Sequence, residues 1–209
     1  MKVAVIAANG KTGRLVVEEA VAKGFDVTAI VRHENKTVAQ HSLQKDLFEL
    51  TQEDLAGFDA VVDAFGVWDP DKMDQHQTSI EHLVAILVGT QTKLYVVGGA
   101  GSLYVDDALT TQLADTPDFP DAYKPVAINM GKGLAVLRQT KDVHWIYVSP
   151  AADFQADGEK TGNYAVAGEQ FTTNAAGESY ISYADYATAL VEELAHPTVD
   201  QARISVYTK

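Results

Sequence analysis

The chain has 209 residues, and its 16 basic and 29 acidic side chains give a formal net charge of -13. This acidity opposes binding to nucleic acid and to anionic membranes, and the absence of cysteine excludes disulfides, thiolate metal sites and cysteine nucleophiles. The apolar runs are too short to cross a membrane, and the run before Asn9 is too short for a signal peptide. We therefore expect a cytoplasmic protein with no nucleic-acid or membrane partner.

Strand-like and helix-like segments alternate along the whole chain. The predicted strands cover 2–7, 26–31, a short stretch within 41–50, 58–65, 93–99, 143–149 and 202–207. The predicted helices cover 13–23, a segment that starts with a cap at 51–54, 72–89, a segment from about 122, and 183–195. Apolar strands separated by helices are typical of an α/β fold, in which a doubly wound parallel sheet is covered on both faces.

The turn after the first predicted strand contains two glycines. It reads Ala7-Ala8-Asn9-Gly10-Lys11-Thr12-Gly13 and leads into the first helix. Such a turn presents backbone N–H groups at the positive end of a helix, where a pyrophosphate can bind. Gly10 permits a close approach to the ligand and Gly13 lets the helix pack on the strand, although Ala7 stands where the usual fingerprint has its first glycine. The position in the chain indicates a dinucleotide site, and an ordinary tight turn is the alternative.

The end of the second strand indicates which dinucleotide binds. NAD sites place an acidic residue here for the ribose, but residues 30–33 contain none and the first carboxylate is Glu34. Arg32 instead offers a planar cation to a 2′-phosphate, with Lys11 and Arg14 nearby. Charge-assisted hydrogen bonds of about 1.5–3 kcal/mol predict a roughly tenfold to hundredfold preference for NADPH over NADH. A solvated surface arginine is the alternative.

Several motifs resemble those of one protein family in both sequence and order. They are AANGKTG, AIVR, KDL (45–47), DAFG (63–66), YVVGGAGSL (95–103), DTPDFPDAYKP (115–125), SPAADF (149–154) and GESYISYADYATALVEEL (177–194). This set is similar to the atypical short-chain dehydrogenase/reductases, and within them to the NmrA-like NAD(P)H-binding proteins provisionally described as NADH-flavin reductases. The resemblance implies a Rossmann-like sheet with a small C-terminal extension on the substrate side, in a single domain over 1–209.

The resemblance also implies a role for each matching residue. The pyrophosphate would be bound by Ala8, Asn9, Gly10, Lys11, Thr12 and Gly13, the 2′-phosphate by Arg32, and the adenine by Asp46 and Leu47. The middle of the cofactor would be lined by Ala64, Phe65 and Gly66, and the nicotinamide flanked by Gly98, Gly99, Ser149, Pro150 and Ala151. All of these segments follow predicted strands, at the edge where open α/β sheets bind ligands.

One feature of the wider superfamily is absent. Most short-chain dehydrogenases transfer a proton with a tyrosine and a lysine four residues later, and none of the nine tyrosines here has that lysine. We therefore predict an NAD(P)H-dependent oxidoreductase that reduces a flat conjugated acceptor such as a flavin or a quinone. Ser102 and Tyr123 are the candidate catalytic residues, expected to position the acceptor. The alternatives are an NADP-binding sensor without turnover and, less favoured, a sugar-nucleotide or steroid-type dehydrogenase.

Two irregular segments are expected to cover the nicotinamide. They are 102–124, rich in proline and aromatic residues, and 152–182, in which 158–173 is predicted to form a hairpin. His76 is expected on a helix surface, with a position facing the site as the alternative. No histidine and carboxylate set has zinc-ligand spacing, so no metal is expected. The chain should act on a small molecule, as a monomer or a homodimer.

Overall fold

A mostly parallel sheet of eight strands runs through the computed structural model, which describes all 209 residues. Its strands are β1 (Lys2–Ile6), β2 (Asp26–Val31), β3 (His41–Gln44), β4 (Ala60–Asp63), β5 (Lys93–Val97), β6 (Trp145–Pro150), β8 (Tyr164–Ala167) and β10 (Ala202–Thr208). A separate parallel pair consists of β7 (Asp153–Gln155) and β9 (Tyr180–Ser182). The helices are α1 (Lys11–Ala22), α2 (Gln75–Leu87), α3 (Lys124–Gln139) and α4 (Tyr183–Ala195).

The order of the strands creates a crevice at one edge of the sheet. That order is β3-β2-β1-β4-β5-β6-β10-β8, and every pair is parallel except β10 with β8. The chain first builds outward from β1 to β3 and then continues on the other side of β1 from β4. The carboxyl ends of β1 and β4 therefore border the switch point at which open α/β sheets bind ligands.

Alternating apolar side chains of the strands form two cores, one on each face of the sheet. Val3 and Val5 of β1 belong to the core that α1 and α4 cover, whereas Ala4 and Ile6 belong to the core under α2 and α3. Helices on both faces explain why the strands read as continuous apolar runs. The predicted α/β, Rossmann-like fold class is confirmed.

The hairpin predicted over 158–173 is wrong. This segment contributes the single strand β8, whose backbone pairs with β10 at the edge of the main sheet. A little further on, the Phe171 N–H donates to the carbonyl of Tyr104 at 2.8 Å. Both partners lie outside the segment, so it has no internal strand pair.

The helix predicted to begin at 51–54 is also wrong. The Asp54 carboxylate accepts from the N–H of Thr51 at 2.8 Å and from Lys45 at 2.6 Å, which closes a turn. Gly57 follows with a φ of 84° and directs the chain into β4. Because β4 begins at Ala60, no room is left for a helix.

Other helix predictions hold more closely. The predicted bounds 183–195 are those of α4, whose first turn is capped by the Ser182 hydroxyl, and Pro125 lies in the first turn of α3. The predicted helix 72–89 is α2 preceded by a 3₁₀ turn at Pro70–Lys72. None of the helices has the length and apolar character needed to cross a bilayer.

Candidate functional site

The loop between β1 and α1 leaves three backbone donors free. No side chain caps α1 at Gly10, its first turn holds no acidic residue, and the N–H groups of Lys11, Thr12 and Gly13 have no partner within the chain. Three converging N–H groups at a helix N-terminus form a site for an anion. The loop itself is closed by the Gly10 N–H, which donates to the carbonyl of Ala7 at 2.9 Å.

The loop geometry depends on Gly13 and on an unusual conformation at Ala7. A Cβ at Gly13 would lie 2.6 Å from the carbonyl oxygen of Ala7 and 3.0 Å from the Cα of Ala8. Only glycine therefore lets α1 pack this closely on the end of β1. Ala7 has a φ of 56°, the left-handed region that a glycine would favour, so it keeps the backbone shape of the usual fingerprint without its residue.

Arg32 is the first residue after β2, which ends at Val31. Its side chain is exposed and forms no ion pair within the chain. The exposed side chains of His33 and Lys36 follow, with Glu34 as the one acidic residue among them. This stretch therefore presents exposed cationic side chains beside the glycine loop, where they could meet a phosphate.

The segment predicted to bind adenine forms a short capped turn. Asp46 accepts from the N–H of Phe48 at 3.0 Å, at the start of the 3₁₀ turn Leu47–Glu49. Leu47 is buried in the core, so only its backbone can face a ligand. The ring of Phe48, which the sequence analysis did not single out, is partly exposed and lies edge-on to Phe65 with the centroids 6.3 Å apart.

The turn after β4 is fixed by two buried polar side chains. Asp63 accepts from the N–H of Phe65 at 3.0 Å, and His76 Nε2 lies 2.9 Å from the carbonyl of Val67. A carbonyl can only accept, so this nitrogen carries the proton. Together they hold Ala64, Phe65 and Gly66 in place.

Asp63 and His76 line one small cavity together with Tyr147 and Met130. Burial raises the pKa of Asp63 to about 7, since no cation faces it, and burial also lowers the pKa of His76. The expectation of a surface histidine is wrong, because α2 turns His76 inward beneath the cofactor-lining turn. The sequence feature that could have indicated a buried polar group here is Asp63, a carboxylate at the end of an otherwise apolar strand.

The ends of β5 and β6 are joined by hydrogen bonds. The Gly99 N–H donates to the Tyr147 hydroxyl at 3.2 Å, and the Ser149 hydroxyl donates to the Gly99 carbonyl at 2.9 Å. A Cβ at Gly98 would lie within 3.0 Å of the Tyr147 ring, so the ring requires glycine above it. Ser149, Pro150 and Ala151 are all buried. This part of the site is a rigid floor of glycines and buried side chains.

Ser102 is buried, and its hydroxyl accepts from Arg203 Nη1 at 2.9 Å. Arg203 also binds the carboxylate of Glu169, which Arg138 approaches to 2.6 Å. Both guanidinium groups lie against the Tyr104 ring, 5.7 and 5.9 Å from its centroid. Ser102 and Arg203 thus form the buried end of an ionic cluster that extends to the surface at Arg138, a contact that could not be anticipated from the sequence.

Tyr123 lies on the surface, 52% exposed, at the end of the segment 102–124. Its ring meets the edge of Trp68, which is 64% exposed and follows the turn after β4, with the centroids 6.0 Å apart. The pair presents aromatic surface at the ligand-binding edge of the sheet. Trp68 was not singled out from the sequence.

Comparisons with known proteins identify the family of the chain. A family described as NAD(P)H-binding matches residues 7–197. The uncharacterized protein YwnB of Bacillus subtilis is 47% identical over 212 residues, covering 100% of this chain and 99% of YwnB.

Two solved structures share both fold and sequence with the chain. A Streptococcus pneumoniae protein provisionally named an NADH-flavin reductase is 56% identical, with a TM-score of 0.98 and 100% of both chains covered. A Bacteroides thetaiotaomicron protein provisionally named an epimerase is 31% identical, with a TM-score of 0.86, and the match covers 99% of this chain and 96% of that one. The sheet and its helices are therefore shared by proteins that carry different names.

Proposed function

This chain belongs to the NAD(P)H-binding family, and from that premise we propose that it transfers hydride from NADPH to a flat conjugated acceptor, a flavin or a quinone, that dissociates after reduction. The observation that carries the proposal is the set of three unpartnered N–H groups at the start of α1, at the switch point of the sheet. A pyrophosphate there would direct the nicotinamide toward the ends of β5 and β6.

The proposed cofactor path uses the loops at the carboxyl ends of the strands. Residues 8–13 would bind the pyrophosphate, Arg32 the 2′-phosphate, and the turn at Asp46 and Leu47 the adenine. Residues 64–66, 98–99 and 149–151 would line the remainder. Those backbones are held by hydrogen bonds of the buried side chains Asp63, Tyr147 and Ser149, which supports a lining that is ordered before the cofactor binds.

The whole chain would act as one nucleotide-binding domain, with 102–124 and 152–182 covering the nicotinamide. The two segments are tied together at Tyr104, whose N–H donates to the Glu169 carbonyl at 3.0 Å and whose carbonyl accepts from Phe171 at 2.8 Å. Ser102 would not transfer a proton. It would instead position these two segments through Arg203, which binds both Ser102 and Glu169.

The chemistry of the acceptor follows from the groups that surround it. NADPH bound along this path would supply a hydride, which carries two electrons, so NADPH would be oxidised to NADP⁺ as the acceptor is reduced. A flavin takes the hydride at N5 and spreads the charge over its rings, so solvent can supply the remaining proton. Holding the nicotinamide C4 about 3–3.5 Å from the acceptor atom would then supply much of the rate enhancement. The exposed rings of Trp68 and Tyr123 offer edges and faces against which a planar acceptor could pack.

We expect steady-state assays to show catalytic oxidation of NADPH when flavin mononucleotide, riboflavin or a quinone is supplied as the acceptor. Trp68→Ala should raise the KM for the acceptor about fivefold, because one aromatic contact is worth about 0.5–1.5 kcal/mol. Tyr123→Phe keeps its ring and should change turnover only modestly. Val88→Ala, at an exposed apolar residue directly after α2 and outside the segments assigned to the site, is the control.

Binding of NADPH without turnover of any conjugated acceptor would contradict the reductase. An NADP-responsive sensor would then be the better account of the same site.

The second expected result concerns the choice of cofactor. NADPH should bind tenfold to hundredfold more tightly than NADH, since a guanidinium makes charge-assisted hydrogen bonds of about 1.5–3 kcal/mol to phosphate. Arg32→Ala should remove most of the difference, as measured by calorimetric titration with both nucleotides. Lys141→Ala removes an exposed cation before β6, at the opposite edge of the sheet, and should leave it intact. Equal dissociation constants in the unmodified protein would refute the 2′-phosphate assignment.

A further inference from the structure

Asn9 lies in the glycine loop, but its side chain is committed to a distant segment. Its Nδ2 donates to the carbonyl of Glu34 at 2.8 Å, and its Oδ1 accepts from the N–H of Lys36 at 2.9 Å. Both ends of the amide are therefore engaged by backbone groups more than twenty residues away in sequence. The side chain is oriented by these contacts before any nucleotide binds.

The segment that Asn9 binds is the cationic stretch after β2. Residues 32–36 form no helix or strand, and Asn35 makes its own side-chain bonds only to Thr37, at 2.9 and 2.8 Å. From outside the stretch, Gln44 reaches the carbonyl of Arg32 at 3.3 Å. Asn9 supplies the side-chain hydrogen bonds that reach its later part, residues 34 and 36.

We propose that Asn9 is a positioning residue that sets the preference for NADPH over NADH, by fixing residues 34–36 so that Arg32 and its neighbouring cations face the 2′-phosphate. The inference rests on the proposed function, because it assumes that Arg32 meets this phosphate. Asn9 would touch the cofactor only through its backbone.

The pyrophosphate and the 2′-phosphate of the cofactor would be held by different groups, which makes the inference specific. The pyrophosphate would meet the N–H groups of Lys11 to Gly13, which do not depend on the side chain of Asn9. The 2′-phosphate would meet exposed side chains on an irregular segment, and ordering such a segment on binding weakens affinity. Loss of the Asn9 amide should therefore weaken NADPH binding while NADH binding is largely kept.

The test compares Asn9→Ala, Arg32→Ala and the double variant in calorimetric titrations with NADPH and NADH. Asn9→Ala should raise the Kd for NADPH about tenfold and that for NADH less than about twofold, the effect of losing about 1.4 kcal/mol at one end only. In the Arg32→Ala background the same substitution should change the NADPH Kd little, because Asn9 acts through Arg32. Asn35→Ala, in the same segment but without a bond to the glycine loop, should leave the ratio of the two constants unchanged.

Other outcomes would overturn the inference in recognisable ways. Equal weakening of both nucleotides by Asn9→Ala would place its effect on the pyrophosphate loop, and no change in either would remove its role. A comparable loss of preference in Asn35→Ala would mean that any disturbance of the segment has this effect. If Arg32→Ala keeps the preference for NADPH, the proposed 2′-phosphate site is refuted. If Arg32→Ala loses the preference but Asn9→Ala keeps it, only the role of Asn9 is refuted.

Discussion

Replacing Asp63 with asparagine is expected to raise the free energy of unfolding by about 4 kcal/mol above pH 7. Burial without a facing cation raises the pKa of this carboxyl to about 7 in the folded chain, compared with about 3.9 in an unfolded one. Asparagine has nearly the same shape, keeps the oxygen that accepts from Phe65, and carries no charge to desolvate.

The direction of the pH dependence follows from which state holds the proton. Above about pH 4 the unfolded carboxyl is ionised, while the folded one keeps its proton until about pH 7. Unfolding then releases a proton, so this group makes the protein less stable as the pH rises from about 4 to about 7, with no further loss above that. Urea unfolding of the protein and of Asp63→Asn between pH 5 and 8 measures the free energy of unfolding of each. The difference between the two should increase up to about pH 7 and then stay constant.

Asp54 provides a control of opposite sign. Hydrogen bonds from Lys45 and Thr51 lower the pKa of this carboxyl to about 2, so its charge favours the folded state at neutral pH. Asp54→Asn should destabilise the protein at pH 7 where Asp63→Asn stabilises it. Parallel pH profiles for the protein and Asp63→Asn would show that Asp63 titrates normally.

Gly13→Ala is expected to weaken NADPH binding about a hundredfold, the effect of losing about 2.7 kcal/mol of hydrogen bonding to the charged pyrophosphate. The added Cβ would meet the carbonyl oxygen of Ala7 at 2.6 Å and the Cα of Ala8 at 3.0 Å. These are backbone atoms that cannot rotate away, so α1 must shift and carry its N–H groups with it. Overpacking should also lower the free energy of unfolding by about 1–3 kcal/mol.

Calorimetric titration and urea unfolding measure these two effects separately, and circular dichroism shows whether the variant is folded. Gly131→Ala, within α3, is the matched control, because the nearest atom outside α3 to a Cβ there would be the Ser102 Cβ at 3.9 Å, an ordinary van der Waals distance. A folded Gly13→Ala variant with unchanged affinity would mean that the glycine only serves the turn.

Local patterns explain how much of the fold the sequence predicted. The bounds of α4 could be predicted because its apolar residues recur with helical spacing, and the structure adds that the Ser182 hydroxyl caps its first turn. The partner of β8 could not be found in this way, because β10 lies about forty residues later and any exposed strand edge would satisfy the same backbone groups. The turn at 51–54 was missed because the same Asp54 can serve a helix start or bind Lys45.

In the candidate site, too, the features set by local sequence could be predicted and those set by distant contacts could not. The positions of Gly10, Gly13 and Arg32 follow from spacing within one βαβ unit, and these could be predicted. The bond from Arg203 to Ser102 joins residues 101 positions apart. The burial of His76 likewise depends on which face of α2 meets the sheet, which its neighbours in sequence do not decide.

The left-handed conformation of Ala7 affects the entropy of nucleotide binding. A glycine would adopt this φ freely, but it would also visit many other conformations in the free protein. Alanine, once held at 56° by the surrounding fold, has few alternatives. The strain costs folding about 1–2 kcal/mol, and in return the loop is preorganised, so its N–H groups lose little conformational freedom when an anion arrives.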